Sequence, residues 1–188
     1  FTSFADNVLI IKLTASEKGK LNFSVSYDTP LPGKKVTARG KKLVLVGKGT
    51  DHEGVKGIIR METQTQAVLQ GGKMKVLADR MQVEGADEVI LYVSTATNFV
   101  DYKHANANES KRAGNYLKLA MKQKYETALA NHIAYYQEQF NRVKLDLGSS
   151  ASAKMETVER VAKFNEGKDP SLAALMFQYG RYLLISSS

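Results

Sequence analysis

The side chains best suited to chemistry near neutral pH are three histidines and the carboxylates around them. In "GTDHEG", Asp51, His52 and Glu53 are consecutive. A metal needs several ligands converging on one point, but neighbours along a strand point to opposite faces. A polar hairpin tip is therefore the simpler reading of this stretch. His132 lies on an apolar helical stripe. A catalytic base needs a positioned partner, so the expectation is a packed histidine, bonded to backbone or to a nearby Asp. Asp101, Tyr102 and His104 lie where strand-like sequence hands over to helix-like sequence. Such junctions often carry function, but an ordinary linker is the favoured reading. Glycosidic chemistry calls for paired carboxylates. Glu84, Asp87 and Glu88 surround a Gly turn and are expected to be solvated. No G-x-S-x-G, P-loop or G-x-G-x-x-G occurs. The motifs alone therefore identify no catalytic, cofactor-binding or metal-binding residue.

The elements that would position these groups fall into two regimes. Up to about residue 100 the pattern is β. In "LNFSVSYD", Leu21, Phe23, Val25 and Tyr27 alternate with polar residues, giving one dry and one wet face. "NVLIIKL" reads as a buried strand. "VTARGKKLVLVG", "GIIRMETQTQAVL", "KMKVLA", "RMQVEG" and "EVILYVSTAT" continue the series. Turn signals such as "LQGGK" and "VEGADE" separate them, and many short strands joined by turns favour a sandwich over βαβ units. After "TNFVDYKHANANES" the period changes. Leu117, Met121, Tyr125, Ala128, His132, Tyr136, Phe140 and Val143 recur three or four apart, as on one helical stripe with a break near "KQKY". "VKLDLG" reads as a strand-like exit, and Lys154 to Asn165 as a short helix. Asp169-Pro170 then opens a terminal helix that is apolar nearly all round and so needs burial on several sides.

Composition narrows the classes. The 188 residues include no Cys, which removes disulfides, zinc–thiolate sites and a Cys nucleophile. The net charge of +8 is spread along the chain, and its densest cluster, "PGKKVTARGKK", has no aromatic partner for stacking. A solvated basic surface is therefore favoured over nucleic-acid binding. No window reaches the length of a membrane span. The chain opens on Phe1 without a signal segment and is expected to derive from something longer.

Two stretches, "HIAYYQEQFNRVKLDLG" and "FNEGKDPSLAALMFQYGRYLLISSS", resemble glycoside hydrolase family 95, the α-L-fucosidases. "VLIIKLTASEKGKLNFSVSYDTPL" and "VEGADEVILYVSTATNFVDY" are similar to the same family, in the same order, so the resemblance covers nearly the whole chain. It implies an α+β chain: part of an antiparallel β super-sandwich (residues 1–105), a helical linker (106–150) and the first helices of a catalytic (α/α)6 barrel (151–188). It also implies an inverting exo-glycosidase that releases terminal α-L-fucose, typically α-1,2-linked, with some members preferring α-L-galactosides. In the family a Glu is the general acid, and asparagines with an Asp activate water. Those positions are expected beyond Ser188, so the catalytic residues expected within the chain are none. The family's super-sandwich also begins before the segment matching Phe1.

The expected partners are a fucosylated glycan and the barrel of the same protein, with no nucleic acid, no membrane and no cofactor. The compartment stays open, although family members commonly act outside the cytoplasm. The competing class is a non-catalytic carbohydrate-binding or scaffold module. It calls for exposed aromatics on a strand's polar face, whereas Phe23 and Tyr27 fall on the apolar register. A basic nucleic-acid binder comes last.

Overall fold

A computed structural model describes residues 1–187; Ser188, the last residue of the expected barrel segment, lies outside the described residues. The chain is α+β and divides into two compact units, residues 1–132 and 133–188.

In the first unit, β1 (Thr2–Ser3), β2 (Val8–Thr14), β3 (Leu21–Ser26), β4 (Lys35–Arg39), β5 (Lys42–Lys48), β6 (Arg60–Val76) and β7 (Arg80–Thr97) form one antiparallel sheet. The order is β1-β2-β7-β6-β5-β4. β2 and β3 share one edge of β7: β2 pairs with residues 88–94 and β3 with residues 80–86. The stretches expected as four strands, from "GIIRMETQTQAVL" to "EVILYVSTAT", are two long ones. The turn signals between them are bulges. Gly71, Gly72 and Gly85 take positive φ, and the β6–β7 register shifts after Gln70 without ending the ladder. A Cβ at Gly72 would lie 2.5 Å from the Ala86 nitrogen and from the Glu84 oxygen, so glycine lets the two strands approach there.

These bulges allow the far half of the hairpin to fold over the near half. One core joins Met81, Val83, Phe23, Val25, Met74 and Val76 from the far half to Leu43, Ala67, Val89 and Leu91 from the near half. Tyr27 reaches Thr65 by a hydroxyl–hydroxyl contact within this packing. The other sheet face carries Val8, Ile10 and Tyr92, covered by α1 (Glu109–Ala120) and the start of α2 (Tyr125–Phe140). "NVLIIKL" is thus buried on one face, not two: Val8 and Ile10 are buried, whereas Leu9 and Ile11 are exposed.

α1 starts at Asn108, whose Oδ1 accepts the Lys111 N–H at 2.8 Å. Ala113, Leu117 and Ala120 are its buried face, spaced three and four apart as the helical period requires. Leu117 is fully buried, so Leu117→Ala costs about 2–5 kcal/mol. The helix breaks between Ala120 and Tyr125, at "MKQK".

In the second unit, the end of α2 is followed by irregular chain over residues 143–150, where a strand-like exit was expected; no strand partner is available there among the described residues. The expected helix over Lys154–Asn165 is shorter: α3 spans Thr157–Ala162 between two 3₁₀ turns. α4 (Pro170–Ser187) meets α2 through Tyr136 and Tyr182, whose rings lie edge-on with centroids 6.2 Å apart. Arg181, which reads in sequence as an interruption of an apolar surface, donates to the carbonyls of Gln139, Phe140 and Val143. These include carbonyls that the end of a helix leaves without intrahelical donors. Leu172 is buried, but Leu175, Met176, Phe177 and Leu183 are exposed, so the burial expected for α4 is only partly met here.

Candidate functional site

The passage from β7 to α1 is the most heavily bonded junction in the first unit. Asn98 has no exposed surface. Its Nδ2 donates to the carbonyls of Ile58 (3.0 Å) and Ala105 (2.7 Å), and its Oδ1 accepts the Arg60 N–H at 2.8 Å. Its backbone bonds to Arg60 and Ala107. One amide thus pins three chain segments with every side-chain bond directed at backbone. Beyond it, Asp101 and His104 close a tight turn. His104 Nδ1 lies 2.8 Å from Asp101 Oδ1, which also accepts the N–H groups of Lys103 and His104. The His104 contact is the largest cause holding the Asp101 carboxyl below the ordinary range. Tyr102, at 86% exposure, projects from the same turn. The dyad orients an imidazole but surrounds it with no pocket, so its geometry favours a braced linker.

The other sequence candidates do not converge. His52 and Glu53 are exposed at a loop tip, with Glu53 at φ 48°. Asp51 is bonded to Lys56 Nζ at 2.7 Å and to the Gly57 N–H at 2.9 Å, which lowers its pKa. Among the described residues no three His, Asp or Glu side chains are grouped as a metal site. His132 is packed as expected, but its partner is an aromatic ring. Its imidazole stacks on Phe1 at 4.8 Å, and burial lowers its pKa. Of the carboxylates near Gly85, Glu84 is exposed as expected, whereas Asp87 and Glu88 are partly buried. Asp87 accepts the Gly19 N–H at 2.6 Å, and Glu88 pairs with Lys12 at 2.9 Å with both side chains three-quarters buried. They fasten the β2–β3 loop and β2 to β7, which explains why they flank a bulge.

Sequence reasoning missed the most buried charged group, Glu62, and the arginine that holds Asp169. Glu62 is 4% exposed and accepts from Arg39 (2.8 Å), Ser110 (2.9 Å) and Gln64 (2.7 Å), tying the sheet to the start of α1. Arg60 and Glu109 add a two-pronged ion pair nearby. In the second unit Asp169 caps α4 through the Leu172 N–H, as "DP" implies. It is also held by a two-pronged bond from Arg160, at 2.8 and 3.0 Å, and by Ser171. The Arg160 bond is the largest cause that brings the Asp169 carboxyl down to about 2. Asp-Pro marks a helix start in sequence; no local signal marks an arginine nine residues earlier as its partner.

Two grooves remain. One, in the second unit, is almost wholly apolar and is lined by Val161, Phe164, Leu172, Leu175, Met176 and Tyr179. The other, in the first unit, is mixed in character and lies at the β7–α1 junction.

Comparison with known proteins supplies the context that the geometry alone does not. Residues 1–102 match the model of the glycosyl hydrolase family 65 N-terminal domain, and residues 124–188 match that of the glycosyl hydrolase family 95 catalytic domain. Over its whole length the chain is 35% identical to "Alpha-L-fucosidase 2" of Arabidopsis thaliana. It is 29% identical, again over its whole length, to "Probable alpha-fucosidase A" of Aspergillus niger. The chain spans 26% and 25% of those two relatives, about a quarter of each.

Proposed function

Because the chain belongs to glycoside hydrolase family 95, we propose that the protein it forms part of is an inverting exo-glycosidase releasing terminal α-L-fucose, most readily α-1,2-linked, from oligosaccharides. The observation that carries this reading is the family 95 catalytic match over residues 124–188, beside full-length similarity to two fucosidases. In this proposal residues 1–105 are the last part of a β super-sandwich, 106–150 a helical linker and 151–188 the start of an (α/α)6 barrel. An α-L-galactoside is the alternative substrate.

Inversion needs one carboxylic acid to protonate the leaving oxygen and a second group, across the bond, to activate water. An acid working near neutral pH needs a raised pKa. Five carboxylates here are drawn the other way: Asp28, Asp51, Asp101, Glu109 and Asp169 lie below their ordinary range, held by Lys34, Lys56, His104, Arg60 and Arg160 respectively. Glu62 and Glu88 are bound in ion pairs that join structural elements. We therefore assign the acid and the water-activating groups to residues beyond Ser188. Carboxyl and amide groups suffice for both roles, so no metal or organic cofactor is invoked.

The test is fucose release from 2′-fucosyllactose, with an aryl α-L-galactoside alongside. The whole protein should release fucose and the isolated 188-residue chain should release none. Turnover by the isolated chain, abolished by a point change within it, would put the active site inside these residues. An inactive whole protein on both substrates would overturn the glycosidase reading.

A further inference from the structure

The mixed groove at the β7–α1 junction has a volume of about 580 Å³, within the range of small-molecule sites. Its lining includes Asn7, Thr95, Thr97, Phe99, Arg112 and Tyr116, and no carboxylate lines it among the described residues. Arg112 is the telling member. Its Nη1 donates to the carbonyls of Thr97 at 3.0 Å and Phe99 at 2.6 Å. Those two bonds fix the guanidinium plane. Its Nη2 and Nε have no bonded partner among the described residues, so three of its five N–H donors stay free. Nor does Arg112 form an ion pair with any described carboxylate, unlike Arg39, Arg60 and Arg160. A guanidinium that is held in place, lacks a counter-ion and lines a groove is matched to a planar carboxylate approaching with two oxygens.

The remaining lining narrows the ligand further. Phe99 is about half exposed and Tyr116 is partly buried, so each can offer an apolar ring surface. Asn7 is held at φ 54° in the β1–β2 turn, where its short side chain tolerates the left-handed region. Its exposed amide and the Thr97 hydroxyl can exchange hydrogen bonds with ligand hydroxyls. Apolar faces, hydroxyl-matching groups and one carboxylate-matching cation together describe a pyranose ring that carries a carboxylate. The net charge of +8 favours the approach of such an anion.

We propose that this groove binds a hexuronic acid unit of an acidic glycan, with Arg112 on the carboxylate. The inference does not rest on the fucosidase reading, because binding is read without fucose release. The experiment is calorimetric titration of the whole protein with trigalacturonate and with its methyl ester, which keeps the sugar and removes the charge. Trigalacturonate should bind about tenfold more tightly than the ester, as expected for a hydrogen-bonded charged pair. Arg112→Gln retains an amide donor toward the two carbonyls and should bring trigalacturonate down to the ester's affinity. Should that variant fold poorly, Phe99→Ala removes only a half-exposed ring and should weaken both ligands together. Equal binding of acid and ester, full affinity in a folded Arg112→Gln protein, unchanged affinity in Phe99→Ala, or no binding of trigalacturonate at millimolar concentration would each overturn the proposal.

Discussion

At the scale of single residues, buried polar groups aimed at backbone matter most. Asn98→Asp keeps the size and the Oδ1 acceptor but removes both donors to Ile58 and Ala105. It leaves two carbonyls facing a carboxylate in a fully buried position. The expected loss is about 3 kcal/mol, from unsatisfied buried groups at roughly 1–3 kcal/mol each. Urea unfolding checks it, and a midpoint shift near zero would contradict the pinning role. Asp169 makes a pH-dependent prediction. Its folded pKa of about 2 lies below the ordinary carboxylate value of roughly 4. Folding therefore favours the ionised form, and its contribution is complete above about pH 4 and lost as pH falls from there through 2. The melting-temperature gap between the native chain and Asp169→Asn should shrink on acidification from pH 5 to pH 2; a constant gap would refute the assignment. Sequence made the Asp169 cap visible because capping is local. It could not show Arg160, Asn98 or Glu62 in their roles, since those bonds join residues brought together only by the tertiary fold.

At the scale of elements, the hydrophobic period was a sound guide to type and a poor guide to continuity. Alternation in "LNFSVSYD" corresponds to β3, and the stripe expected from Leu117 to Val143 corresponds to α1 and α2 only as far as Phe140; Val143 lies beyond α2 and is exposed. "LQGGK" and "VEGADE" were misread because glycine marks both turns and bulges, and only pairing across strands tells them apart. Gly72→Ala is the direct test. A methyl group there meets backbone at 2.5 Å at a φ of 68°, so the bulge must rearrange. The variant should lose about 2 kcal/mol or more, in line with strain at left-handed positions combined with overpacking. Gly33→Ala has a similar φ but open space and should lose clearly less. Equal losses at the two sites would show that conformation alone, without the close approach, sets the cost.

At the scale of the whole molecule, one exposed side of α4 carries Leu175, Met176, Tyr179 and Leu183. A contiguous apolar patch of that kind promotes association. The isolated 188-residue chain should therefore be larger than a monomer in light scattering, and Met176→Glu with Leu175→Glu should return it toward monomer. A native chain that is already monodisperse would sink this expectation. Sequence flagged the apolar helix, but periodicity has no means of saying how much of it its own chain covers. The shared edge of β7 has a consequence of another kind, in the order of folding. β4 to β7 pair with their chain neighbours, so that meander closes through local connections, the longest of them between Lys48 and Arg60. β2 must instead find a partner about 80 residues away, Val8 opposite Ser94 and Thr14 opposite Glu88. Closing so long a loop carries an added entropy cost, and non-local pairing slows folding. During synthesis β2 and β3 emerge well before β7, so their pairing with its edge waits until β7 has been made.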